Sequence, residues 1–381
     1  MTFLLNMVSL NKLYCKGAFD MSREVKIGII GCGGIANGKH MPSLKVIENA
    51  KMVAFCDIIE ERAVEAAEKY GEEGARVYTD YKELLKDEEI EVVHVCTPNR
   101  SHSFISIDAM EAGKHVMCEK PMAKTYAEAK AMLEASERTG KKLTIGYQQR
   151  WRPNSLYLKQ MCDDGELGDI YYGKALALRR RAVPTWGVFL NEYEQGGGPL
   201  IDIGTHALDL TLWMMNNYKP KMVVGTTFEK LKDQKDTGNS WGDWDPEKFT
   251  VEDAAFGFIV MENGATIVLE SSWALNIRDP KEAITTVCGT LGGADMLDGL
   301  TVNFVKNGRQ CLLKPDLSKG GVAFYDGDAD EKPSVLEARA WLNAVINDTE
   351  PPTKASQALV VKQILEAIYE SARTGKPVYF D

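Results

Sequence analysis

Two regimes of hydrophobic patterning divide the chain. In the first, apolar β-rich runs at residues 25–30, 52–57, 92–97, 115–119 and 143–145 alternate with helical patterns. The helical stretches carry their own punctuation. Asp80 with Glu83 and Thr125 with Glu128 have capping-box spacing, and Gly140 fits a helix stop. Strand, helix, strand in this order predicts right-handed crossovers and a parallel sheet covered on both faces. In the second regime, a helix-like segment at 200–215 precedes strand candidates at 222–228, 254–261, 265–273, 283–288 and 301–305. Asn263-Gly264 marks a hairpin between two of them. Helices near 334–347 and 356–374 close the chain. This predicts an α/β domain followed by an α+β domain with a large, mainly antiparallel sheet carrying helices on one face. The polar stretch 230–248, which contains glycine and tryptophan, breaks the strand pattern and reads as a loop, a candidate lid.

A length of 381 residues favours two domains. The expected division is an N-terminal extension at 1–24, a nucleotide-binding domain at 25–145 and a second domain at 146–381. Hydrophobic content of 44% with 26% charged residues excludes a disordered or collagen-like chain. A net charge of −10 repels phosphate backbones and anionic membranes, so neither nucleic acid nor membrane is an expected partner. The run Arg179-Arg180-Arg181 is too local to change that. No stretch reaches transmembrane length, and the mildly apolar start lacks the basic region of a signal peptide. Met21 offers a second beginning. The eight cysteines stand singly without a C-x-x-C, several inside apolar runs, which predicts reduced, buried thiols in a cytoplasmic protein. No histidine–cysteine spacing suggests a metal site.

Candidate chemistry begins at Gly31-Cys32-Gly33-Gly34-Ile35-Ala36, directly after the first strand. This is G-x-G-x-x-A. Gly31 permits the turn, Gly33 lets the backbone approach a pyrophosphate, and Ala36 allows close helix–strand packing. The helix start beyond it supplies free N–H groups for phosphates. Asp57 closes the next strand about 20 residues further on, where an acid binds the adenosine ribose. No basic residue adjoins it to receive a 2′-phosphate, so NAD is expected over NADP. Thr97-Pro98-Asn99 with His102, and Glu119-Lys120-Pro121, end two more strands at the edge where open α/β sheets bind ligands. After Gly196-Gly197-Gly198, Asp202 and His206 fall four apart on one helical face, with Asp209 three further on. A carboxylate beside an imidazole orients it and tunes it for proton transfer.

Together, in this order, these motifs resemble the glucose–fructose oxidoreductase / inositol dehydrogenase / rhizopine catabolism (Gfo/Idh/MocA) family, over a span from about residue 25 to residue 375. The resemblance implies a Rossmann domain joined to an open-faced antiparallel sheet that pairs chains into dimers, tetramers or higher homo-oligomers. The C-terminal helices are expected to pack back on the first domain. It implies that Lys120, Asp202 and His206 converge on the nicotinamide. Cofactor contacts are expected from Gly31, Gly33, Gly34, Ile35, Ala36, Asp57, Thr97, Pro98, Asn99, His102, Glu119 and Lys120.

On the substrate side, aromatic faces beside charged donors suit a pyranose ring. The candidates are Tyr147, Arg150, Trp151, Arg181 and Trp186, with Asp202 and His206. This stretch resembles family members that oxidise the 3-hydroxyl of glucosides, which implies an NAD-dependent dehydrogenase forming a 3-oxo-glycoside. In this reading His206 or Lys120 takes the alcohol proton, and Asp202 positions His206 or binds a neighbouring hydroxyl. The alternatives are a redox-neutral NAD-dependent glycosidase, an inositol dehydrogenase, and a non-enzymatic NAD-binding regulator. The intact Lys120, Asp202 and His206 set argues against the last.

Overall fold

The computed structural model describes residues 23–317 and 331–380. Met21 and nearly all of the expected N-terminal extension lie outside the described residues. The first sheet is formed by β1 (Val25–Ile30), β2 (Ala50–Cys56), β3 (Arg76–Tyr78), β4 (Val92–Val95), β5 (His115–Cys118) and β6 (Leu143–Ile145). Its order is β3-β2-β1-β4-β5-β6, with every pair parallel. Chain direction across the sheet reverses between β1 and β4, so a crevice opens at their carboxyl ends. β3 escapes the sequence pattern because it is a three-residue, half-buried edge strand.

The second sheet contains β7 (Ile170–Leu178), β8 (Pro220–Phe228), β9 (Ala254–Met261), β10 (Thr266–Ser272), β11 (Lys281–Gly289), β12 (Gly292–Asp295), β13 (Thr301–Lys306), β14 (Arg309–Leu313) and β15 (Val378–Tyr379). Its order is β14-β13-β12-β11-β7-β10-β9-β8-β15. All neighbours are antiparallel except β7 with β10. The hydrophobic pattern misses β7, although it sits at the centre, because Gly173 and Lys174 interrupt its apolar run. Gly173 is there for packing: a Cβ would lie 2.7 Å from Thr211 Cγ2 on the helix Thr205–Met215. That helix is buried at every position except Met215, which explains its weak amphipathic signal.

The two C-terminal helices bind the halves together. Trp341, wholly buried on Pro333–Ile346, shares an apolar cluster with Ile27 and Ile29 of β1. The helix Ala355–Thr374 joins β6 and the second sheet in one continuous core. Glu366 on it accepts a hydrogen bond from Tyr126 N at 2.6 Å.

Arg150 completes the joint. Its guanidinium is buried, with Nε and Nη2 on Asp209 at 2.9 and 2.6 Å and Nη1 on Gln357 Oε1 at 2.8 Å. This corrects the expectation that Arg150 faces substrate: the side chain is buried and each of its three guanidinium nitrogens is bonded within the protein. Arg150→Met leaves the Asp209 carboxylate buried without its countercharge. It is expected to lower stability by about 3–5 kcal/mol, read as a shift in the urea midpoint; a loss under about 1 kcal/mol contradicts the structural role.

Candidate active site

At the carboxyl end of β1, Gly31 adopts φ +91°, and a Cβ there would lie 2.7 Å from Cys96 O. Only glycine fits. Above Gly33 and Gly34 the space is open, with no heavy atom within 4 Å of either Cβ position. Ala36 is fully buried and packs beneath this cradle without facing it. Asp57 is fixed at the end of β2: Oδ2 accepts Cys32 N at 2.8 Å and Oδ1 accepts Ile59 N at 2.9 Å. A cleft of about 1400 Å³ runs along Gly31, Gly33, Gly34, Ile35, Asp57, Thr97 and Pro98, with Trp186 on its far wall. A glycine cradle, a helix start and an acid at the next strand end fit a dinucleotide.

Three expected cofactor contacts turn inward instead. Asn99 Nδ2 donates to Gln195 O at 3.0 Å, tying the strand end to the glycine run of the second domain. His102 is buried between Pro121 O and Thr97 O, each 2.8 Å from a ring nitrogen, and so staples two strand ends together. Glu119 Oε1 accepts from Lys39 Nζ at 2.7 Å and His40 Nε2 at 2.8 Å, while Oε2 accepts from Lys120 N at 3.1 Å. Burial opposes its ionisation, yet Lys39 and His40 hold the carboxyl well below the usual range. Lys39 also pairs with Glu337 at 2.8 Å. Sequence reasoning missed Lys39, His40 and Glu337; only the inward register of two helices brings them beneath Lys120.

Lys120 reaches across the domain boundary. Its Nζ donates to Asp202 O at 2.9 Å and Asp202 Oδ1 at 3.0 Å. Trp273 Nε1 donates to Asp202 Oδ2 at 3.0 Å, and the Arg179 guanidinium lies 3.9 Å from the same oxygen. Burial opposes the Asp202 charge, but Lys120 and then Arg179 lower its pKa. Asp202 lies in a π-helical turn, Leu200–Gly204, that opens directly into Thr205–Met215. Such widened turns recur at functional sites.

His206, one residue into the following helix, is 6% exposed. Burial, reinforced by Lys120, pushes its pKa down to about 3, so the ring is neutral. Its Nδ1 has no hydrogen-bond partner among the described residues. Asp202 therefore does not orient His206: its two oxygens are committed to Lys120 and Trp273. Tyr147 does so instead, with its ring edge-on to the imidazole at 6.2 Å and its hydroxyl 3.0 Å from Thr205 Oγ1.

Tyr147 and Trp151, expected at substrate, are 1% and 6% exposed and belong to the interior. Arg181 bonds Gln234 and Asn276 at 3.1 and 2.8 Å. Trp186 is half-exposed and meets Trp241 edge-on at 4.7 Å. Trp241 belongs to the expected loop, which is fastened over the segment before Trp186 by Thr185 Oγ1 to Trp241 O at 2.6 Å and Ser240 Oγ to Arg181 O at 2.8 Å. Arg179, Trp241 and Trp273 were missed. Of the three consecutive arginines, choosing Arg179 required the register of β7, which the pattern hid. Among the described residues no cluster suits a metal ion, and no helix is long and apolar enough to cross a membrane.

This geometry defines a dinucleotide-dependent oxidoreductase of two domains, and the comparisons give its family. Residues 25–147 match the oxidoreductase family with an NAD-binding Rossmann fold, and residues 155–295 match the GFO/IDH/MocA C-terminal domain. The chain belongs to the GFO/IDH/MocA oxidoreductases and uses NAD. It is 35% identical to D-glucoside 3-dehydrogenase of Escherichia coli over 357 residues, 94% of this chain and 98% of that protein. It is 32% identical to inositol 2-dehydrogenase of Salmonella paratyphi B over 197 residues, 51% of this chain and 56% of that protein. The crystal structure of an oxidoreductase domain protein from Kribbella flavida superposes with a TM-score of 0.81 at 24% identity, covering 94% of this chain and all of the other.

Gly31→Ala tests the cradle. A left-handed residue with a Cβ costs roughly 1–2 kcal/mol, and the clash with Cys96 O adds to it. The NAD dissociation constant from fluorescence titration is expected to rise at least about tenfold; an unchanged value places the dinucleotide elsewhere.

Proposed function

We propose that the protein oxidises a secondary hydroxyl of a glycoside, the 3-hydroxyl of a glucoside, to the ketone. One observation carries this reading. A lysine from the nucleotide domain and an aspartate–histidine pair from the second domain meet at the carboxyl edge of the Rossmann sheet. The near end-to-end similarity to a D-glucoside 3-dehydrogenase supports the substrate class. Similarity to the inositol enzyme covers only about half of each chain, so the cyclitol reading ranks second.

The residues divide the work. Lys120, held by two oxygens of Asp202, is a hydrogen-bond donor and stabilises negative charge developing on the reacting oxygen. His206 is neutral and accepts the alcohol proton at Nε2, since its Nδ1 is enclosed by the protein. Asp202 balances the Lys120 charge and keeps it aimed. Tyr147 fixes the plane of the imidazole. Trp186 and Trp241 offer aromatic faces to a sugar ring. When bound, NAD supplies the hydride acceptor. Chain pairing is proposed on the uncovered face of the second sheet, where the register partners Val224 and Phe258 are 37% and 46% exposed.

The test is a panel of O- and C-glucosides, free hexoses and inositols with NAD, following reduced nicotinamide and locating the product ketone by NMR. A 3-oxo-glucoside is expected; exclusive turnover of inositol selects the second reading. Lys120→Ala and His206→Asn are each expected to lower kcat by about 10²–10⁴-fold with NAD affinity preserved. Wild-type rates in both contradict the mechanism. Because burial pushes the His206 pKa down to about 3, the ring is unprotonated at neutral pH, and any acid limb near neutrality belongs to another group.

A further inference from the structure

One dipeptide, Glu252-Asp253, grips Asp202 from two sides without facing the cleft. Glu252 is 5% exposed and accepts three hydrogen bonds. Gly198 N donates to Oε2 at 2.7 Å, while Leu200 N at 3.0 Å and the Tyr369 hydroxyl at 2.9 Å share Oε1. Gly198 O in turn accepts Asp202 N at 2.9 Å. From the other side, Asp253 O accepts Ser272 Oγ at 2.9 Å and Trp273 N at 3.3 Å, and Trp273 Nε1 reaches Asp202 Oδ2. The Asp253 carboxylate also holds the start of the 230–248 loop through Leu231 N at 2.8 Å. The glycine run is shaped for this grip: a Cβ on Gly198 would lie 2.2 Å from Glu252 O, and one on Gly197 would lie 2.0 Å from the Tyr369 hydroxyl.

We propose that Glu252 is a positioning residue for the oxidation: ionised, it anchors the turn at Gly198 and so sets Asp202 against Lys120; protonated, it releases one donor and loosens that register. The inference rests on the reading that Lys120, Asp202 and His206 carry the reaction. Two partners of Glu252 are backbone N–H groups that can only donate and the third, the Tyr369 hydroxyl, donates in this arrangement, so the ionised carboxylate accepts all three without rearrangement.

Burial raises the Glu252 carboxyl from 4.5 to about 7, against the lowering effect of its N–H donors. Lys362 and Glu366 stand near it on the helix Ala355–Thr374, with Lys124 and Glu128 beside them and Glu192 beyond Tyr369. Burial lowers Lys362 to about 8, while Glu366, Glu128 and Glu252 favour its charged form.

The experiment measures kcat and KM against pH for wild type, Glu252→Gln and Tyr369→Phe with the glucoside and NAD, together with thermal unfolding of the nucleotide-free proteins. Wild-type kcat is expected to fall about tenfold per unit below pH 7. Glu252→Gln gives a flat, low kcat without that limb and with KM little changed. Tyr369→Phe removes a donor that favours the ionised form and moves the limb up by about one unit. In the melts, the raised folded pKa makes the Glu252 contribution to wild-type stability greatest below about 4.5, with loss as pH rises through about 7. Glu252→Gln lacks this loss. A limb near 7 that persists in Glu252→Gln, or wild-type rates in that variant, overturns the proposal. If wild type oxidises no glycoside, the functional reading fails and takes this one with it; a missing Glu252 titration in the melts sinks this inference alone.

Discussion

Lys120 and Asp202 belong to different domains, and their ion pair fixes where those domains meet. Lys120 leaves the carboxyl end of β5, while Asp202 lies in the turn before a helix buried against the second sheet. With Nζ on both the backbone and the side chain of Asp202, the lysine is held in position as well as in charge. The buried Arg150–Asp209 pair and the C-terminal helices enforce the same approach from behind. The cleft, its wall of aromatic rings and the neutral His206 all follow from that docking.

Burial then assigns different tasks to similar groups. Glu119 and Asp202 are both carboxylates beside lysines, yet Glu119 faces inward to Lys39 and His40, where it braces the Lys120 backbone. Asp202 faces the lysine side chain. His206, buried and next to the Lys120 ammonium, is held in its neutral form. In the proposed mechanism this difference of environment separates charge stabilisation from proton acceptance.

Much of this was legible in the residues. The G-x-G-x-x-A turn and the parallel character of the first sheet followed from motif and pattern, because each depends on short-range spacing; the approach of Lys120 to Asp202, 82 residues apart, was implied only by the family resemblance. The misses share a physical cause. β7 was lost because its middle is shaped by packing against a helix, not by alternation of apolar residues. Asp202 and His206 were expected to pair because α-helical spacing puts them on one face, but a π-helical turn intervenes. Tyr147, Arg150 and Trp151 looked like ligands because aromatic and charged side chains serve surfaces and interiors equally well. Only burial distinguishes the two. Lys39, Glu252 and Trp273 reach the site through long-range register, which no local window contains.

In the proposed oxidation a carbon-bound hydrogen of the sugar leaves at the edge where Lys120 meets the second domain. Incubating the protein and NAD with a glucoside carrying deuterium at C3 tests this most directly. The deuterium is expected in the reduced dinucleotide, and the sugar is expected as the unlabelled 3-ketone. Deuterium retained at C3 beside an oxidised product, or an unlabelled reduced dinucleotide, contradicts it.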